Sequence, residues 1–220
     1  MKQRVFIALL FGLAACAPTD TGNPPAALDA SKLESDVVQG FVDHTVWLDG
    51  RAGAVDGSSG EVYLVALDVP SEAARVEVEP DGSFGVVTLT ATNTRVRAFA
   101  RTDEGLSAAT DWQIEVDRLV ELPRALDACV EVVRTLEADE EGQASLSIFN
   151  GCSSEITLSA SAIGAEVAGP VPASLEVGGE GSWSLSIPVP SSGFAIGTIA
   201  LRVSGAVSGV LEVSLLSRAP

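Results

Sequence analysis

From residue 36 onward, almost no stretch of the chain repeats its apolar residues at a helical period. Short runs rich in Val, Leu, Ile and Thr alternate with polar residues and are cut by Gly, Asp, Ser and Pro. Alternation places side chains on two faces of an extended strand, and breakers at such spacing limit each strand to a few residues. The pattern predicts an all-β chain built as antiparallel sandwiches. In the first half, strands are expected near residues 37–42, 46–54, 61–69, 74–79, 84–90, 94–101 and 107–116. Pro80-Asp81-Gly82 supplies a tight turn between the fourth and fifth. A second set is expected near 129–137, 143–150, 156–163, 175–177, 182–189, 198–204 and 209–216. Residues 117–128, with Pro123 among mixed charges, read as a linker between them. No close repeat relates the halves, so two unlike sandwiches are expected at 36–117 and 129–220.

Facing can be worked out for one hairpin. With the turn at Asp103–Gly105, Val96, Ala98 and Ala100 share a side with Trp112, Thr110 and Ala108, which makes that the core side. Arg95, Arg97, Phe99 and Arg101 then face outward, with Arg97 near Asp111. The expectation is a solvated face whose cations pair with surplus acid. Trp47, Trp112 and Trp183 lie in alternating strands and are expected in the core.

The opening differs in kind. Lys2 and Arg4 precede the apolar run Val5–Leu13, which is too short to span a bilayer and fits a secretory leader. It ends Leu13-Ala14-Ala15-Cys16, which resembles the lipobox of bacterial lipoproteins. That resemblance implies a signal peptide over 1–15 and a diacylglycerol thioether on Cys16. The acyl chains would anchor the protein to a membrane. Ala17, in place of Asp, implies the outer membrane of a bacterial envelope by likeness to Gram-negative lipoproteins. Residues 16–35, rich in Pro, Ala, Thr, Asp and Gly at their start, read as a flexible tether.

Of 13 basic residues the leader holds two and no acid, leaving 11 against 30 acids, a formal −19. That charge repels nucleic acid and anionic membranes. With Cys16 lipidated, Cys129 and Cys152 remain as a pair in an oxidising compartment. Folding residues 129–152 about Glu140 sets Leu136 opposite Ala144 and Val132 opposite Ile148. It also brings Cys129 beside Gly151 and Cys152. A disulfide there would contribute roughly 3 to 4 kcal/mol through loop entropy. No histidine lies near enough to suggest zinc, and no Cys-x-x-Cys is present.

A second resemblance rests on GRAGAVDGSSGEVYLV and EPDGSFGVVTLTATNTRVRAFARTDEG. Gly50, Gly53, Asp81, Gly82, Phe84, Asn93, Val96, Ala98 and Asp103 match the pattern of immunoglobulin-like modules of bacterial surface and secreted proteins. The likeness covers about residues 36–117 and implies adhesion, spacing or display, with no catalytic residues to carry over. SLSIFNGCSSEITLSA similarly resembles a strand-Asn-x-Cys-strand corner of envelope sandwiches.

Catalytic signatures are otherwise missing from the sequence. His44 stands alone and is expected at an exposed strand end. No nucleophile elbow, Ser-x-x-Lys, zinc-protease helix or phosphate loop occurs. Acid clusters at Asp139, Glu140 and Glu141, and at Asp117, Glu121 and Asp127, are weak calcium candidates without the spaced Asp-x-Asp-x-Asp loop. The expectation is therefore a non-enzymatic, cofactor-free module with two immunoglobulin-like domains. Its partners would be a membrane, through lipid, and a protein or glycan. The alternatives are an enzyme or carbohydrate-active accessory protein with an acidic inter-domain site, and a calcium-dependent adhesin.

Overall fold

The computed structural model describes residues 28–70, 72–91, 95–122, 125–168, 173–205 and 207–220. Cys16, the leader and the first part of the expected tether, up to residue 27, lie outside them. The described chain is all-β and forms two tandem sandwiches.

The first opens with Leu28 bridged to Val55 and a single 3-10 turn at Ala30–Lys32 capped by Asp29. Its strands are β1 (Leu33–Gln39), β2 (His44–Gly50), β3 (Gly60–Ala66), β4 (Ala73–Glu77), β5 (Phe84–Ala91), β6 (Arg95–Thr102), β7 (Gly105–Leu106), β8 (Thr110–Glu115) and β9 (Arg118–Glu121). One sheet runs β1-β2-β5. The other runs β4-β3-β6-β8-β9, with β7 paired to β6. In immunoglobulin lettering this is A-B-E against C′-C-F-G, with one extra strand beside G. Val46, Leu48, Val62, Leu64, Val87, Leu89, Val96, Ala98 and Trp112 fill the space between the sheets.

Two boundaries differ from the sequence expectation. Residues 28–35 belong to the first sandwich rather than a tether, because Asp29 donates its amide to the Ala54 carbonyl and β1 pairs with β2 from Leu33 onward. Residues 118–121 continue the sheet beside β8 rather than link the domains. Gly82 closes the β4–β5 turn at φ +76°, where a Cβ would sit 2.3 Å from the Val55 carbonyl oxygen. Only glycine fits that turn.

After a 3-10 turn at Ala125–Ala128 come β10 (Val130–Val132), β11 (Thr135–Glu137), β12 (Gln143–Asn150), β13 (Ile156–Ile163), β14 (Glu166–Ala168), β15 (Ser174–Leu175), β16 (Glu180–Ser186), β17 (Phe194–Gly205) and β18 (Gly209–Arg218). The sheets run β10-β12-β16-β14 and β11-β18-β17-β13-β15. The first is the A-B-E-D order of an immunoglobulin domain, and β18-β17-β13 is its G-F-C. Leu146, Ile148, Trp183, Leu185, Ile199, Leu201, Val213 and Leu215 make its core.

The expected hairpin over residues 129–152 is half present. Val132 does face Ile148, Gly151 donates to the Cys129 carbonyl, and Cys129 is bonded to Cys152. Leu136, however, does not pair with Ala144. At Val133-Arg134 the strand leaves its sheet and continues as β11, parallel to β18 in the opposite sheet. Leu136 still reaches the same core, now from the other side. A sandwich closes one flank when an edge strand is shared between its sheets, and this crossing does that.

Candidate functional site at the seam between the sandwiches

The outward residues of β6 gather charged and aromatic side chains, with Arg95 and Arg101 partly exposed at the two ends and Arg97 and Phe99 enclosed between them. Arg97 and Phe99 are both 0% exposed. The facing deduced from the hairpin holds, since Val96 pairs with Trp112 and Arg97 with Asp111. What covers the face is the second sandwich, through β11, β17 and β18. This corrects the expectation of a solvated face at Arg97 and Phe99, while the cations of the stripe do pair with acids.

The covering follows from the pleat of β18. Leu211, Val213 and Leu215 point into their own core, so Glu212, Ser214, Leu216 and Arg218 point at the first sandwich. Arg95 Nη1 donates to Glu212 Oε2 at 2.8 Å, and Arg97 Nη1 to Ser214 Oγ at 3.1 Å. Both pairs are 117 residues apart, so β6 lies over β18 and runs the same way. Continuing the step sets Phe99 toward Leu216, which share one apolar cluster with Tyr63, Val65, Ala109 and Ile196. One step further, Arg101 and Arg218 line the same cleft.

Arg97 is the centre of the seam. Its Nε donates to Asp111 Oδ1 at 2.6 Å and its Nη2 to Asp111 Oδ2 at 2.8 Å, while Nη1 also reaches the Arg134 carbonyl at 3.1 Å. Arg134 approaches Asp111 Oδ2 at 3.6 Å from the second sandwich. A planar guanidinium meets both carboxylate oxygens at once, a geometry lysine cannot reproduce. Thr135 Oγ1 donates to the Ser107 carbonyl at 2.9 Å, and Arg101 Nε to Glu137 at 2.7 and 3.0 Å.

At the far side Tyr63 stacks on Phe99 with centroids 5.3 Å apart and meets the edge of Phe194 at 5.1 Å. Its hydroxyl donates to Glu61 Oε2 at 2.6 Å, and Glu61 also holds Arg75 and, at 3.1 Å, Arg218. Burial, and then the bond to Glu61, push the Tyr63 phenol well above its ordinary range. A phenol in this setting is a neutral donor, not a base.

The remaining sequence candidates are scattered. Asp139 Oδ1 accepts from the Glu141 and Gln143 amides, so it is occupied in closing the β11–β12 turn. Glu140 and Glu141 are exposed beside it. Asp117 and Glu121 are exposed, on opposite sides of Arg118 in the chain, and the Asp127 side chain is outside the description. Among the described residues no three His, Cys, Asp or Glu side chains gather as a metal site. His44 begins β2 as expected, but is half-buried. Trp112 and Trp183 are core residues. Trp47 is not: it stands 45% exposed on the outer face of β2.

The seam went unpredicted, yet one signal for it was in the sequence. Val62-Tyr63-Leu64-Val65-Ala66-Leu67 is continuously apolar, where a strand with one wet face alternates. Continuous runs of this length mark strands buried on both faces.

No family model matches the sequence, and no curated protein matches it. Solved structures are similar at the level of β architecture. The periplasmic chaperone SfaE is 12% identical over 40% of this chain, with a TM-score of 0.35, and the chain spans 56% of its length. The D0-D1 domain of intimin is 13% identical, covering 83% of this chain and 99% of that one, at 0.30. The VesB protease of Vibrio cholerae is 8% identical, covering 88% and 99%, at 0.35. Scores this low carry no argument about activity.

Proposed function

We propose that this chain is a non-catalytic display module of the bacterial envelope, held to the outer membrane by lipid on Cys16. Its two sandwiches would present a binding face at a fixed orientation to a protein or glycan partner. The observation that carries the reading is the seam. The acids between the sandwiches, Asp111, Glu61, Glu137 and Glu212, are each held by an arginine. Groups so engaged join two domains rather than transfer protons to a substrate, and this supports a binding module over an enzyme with an acidic inter-domain site.

Location is tested by growing cells with labelled palmitate. The chain is expected to take up label and partition with membranes, and Cys16→Ser to lose both. Equal labelling of the two would overturn the anchor. If a purified chain turned over polysaccharide or peptide substrates, the non-catalytic reading would fall.

A further inference from the structure

Building on the display reading, we propose that the free end of the β1–β2 hairpin is the docking surface, and that it takes a cationic protein segment carrying apolar side chains. Phe41 is 101% exposed and Val42 74% exposed at the tip, and Val38 and Trp47 follow on the outer face at 50% and 45%. Val46, Leu48 and Val37 occupy the inward positions of the same strands, so these outward apolar residues contribute nothing to the sandwich core. An exposed aromatic side chain at a hairpin tip, with a second on the outer face behind it, is the kind of anchor that protein interfaces use.

The tip is held in shape. Gly40 donates its amide to the Asp43 carbonyl at 2.8 Å. That bond closes the turn and leaves Phe41 and Val42 out in solvent. The tip also lies away from the point where the chain enters the fold. Leu33, at the other end of β1, pairs with Gly50, while Gln39 pairs with His44 at the tip end. Seven residues of strand separate the two ends by about 20 Å. A module tethered through its N-terminal side would thus hold this tip away from the attachment.

Charge fixes the class of partner. Residues 33–50 and 84–91, which make the whole sheet and its tip, contain Glu34, Asp36, Asp43 and Asp49 and no Lys or Arg. Asp36 stands opposite Trp47 in the register, so the exposed indole has a carboxylate beside it. Lys32 and Arg51 lie at the entry end, engaged with Asp29 and Glu34. The molecule already shows how such a face is met. At the seam arginines of one sandwich meet carboxylates of the other in both directions, Arg95 with Glu212, Arg101 with Glu137 and Arg218 with Glu61. The hairpin sheet offers carboxylates and no cation, so its complement carries lysine or arginine among apolar residues. Such cations would also lie over the Trp47 ring. The outer face of β12 and β16 contrasts with it, being lined by serines such as Ser145 and Ser182, whose hydroxyls bond each other at 3.0 Å.

The test presents the mature chain with synthetic peptides whose basic and apolar contents vary independently, beside chito- and cello-oligosaccharides and phosphatidylcholine vesicles. Peptides that are both basic and apolar are expected to bind, more weakly as salt rises. Phe41→Ser and Trp47→Ser should each reduce affinity about thirtyfold, the size of an interface hot spot. Asp36→Asn with Asp43→Asn should flatten the salt dependence. Near-ultraviolet circular dichroism checks that each variant keeps its fold. Peptide binding unchanged by Phe41→Ser and Trp47→Ser would overturn this surface while leaving the display reading intact. So would binding of the oligosaccharides or vesicles alone. Binding to no probe would overturn it as well, and the Cys16 labelling experiment would then judge the display reading separately.

Discussion

Arg97 is the side chain on which the seam depends most. It is fully enclosed, it meets both oxygens of Asp111, and it spans to the second sandwich. Replacing it with methionine keeps most of the volume but strands a buried carboxylate, so unfolding free energy should fall by about 3–5 kcal/mol. Arg97→Met with Asp111→Leu should recover part of that loss, because the buried pair goes together while Arg134 gives up its contact with Asp111. Denaturant titration of the three proteins measures both. Tyr63 gives a pH test. Its raised pKa means the folded state favours the neutral phenol, so its contribution is complete below the ordinary value of 10.0 and is lost as pH climbs beyond it. It is the chain's single tyrosine, so phenolate absorbance reports on it alone. Absorbance should rise only together with alkaline unfolding, and ionisation near pH 10 in a folded chain would contradict the burial. The pairing of Arg97 with Asp111 was legible from hairpin facing. Its depth was not, because pleat says which way a side chain points and not what lies there.

The strands themselves were largely legible, since alternation and turn chemistry act locally. The β12 and β13 boundaries fall where the sequence placed them, at Gln143–Asn150 and Ile156–Ile163. The expected hairpin at 129–152 fails at Leu136 for a non-local reason. Val133-Arg134 crosses between sheets, and its register is decided by β18, some eighty residues later. What keeps the first part of that strand in place is the Cys129–Cys152 bond together with Asn150. The Asn150 amide donates to the carbonyls of Ser154, Leu175 and Glu176, and its oxygen accepts from the Cys152 amide. Replacing both cysteines with serine should cost roughly 3–4 kcal/mol, read as a lower denaturant midpoint. Hydrogen exchange should quicken first at β10, where only three residues are paired. Loss of protection spread evenly over both sandwiches would argue against a local staple.

At the scale of the molecule, the sheet β4-β3-β6-β8-β9 is the middle layer, with a core on one face and the seam on the other. The apolar part of the seam, Tyr63, Val65, Phe99, Ile196 and Leu216, is buried as completely as either core. Separating the domains would expose that aromatic surface and two lines of charge to water together. The sandwiches are therefore expected to stand or fall as one body, which would give the proposed display module its fixed orientation. Scanning calorimetry of the chain from Ala17 to Pro220 tests this most directly. A single transition whose calorimetric and van't Hoff enthalpies agree is the predicted result. Two resolved transitions, each with the heat of one sandwich and neither moved by Arg97→Met, would contradict it.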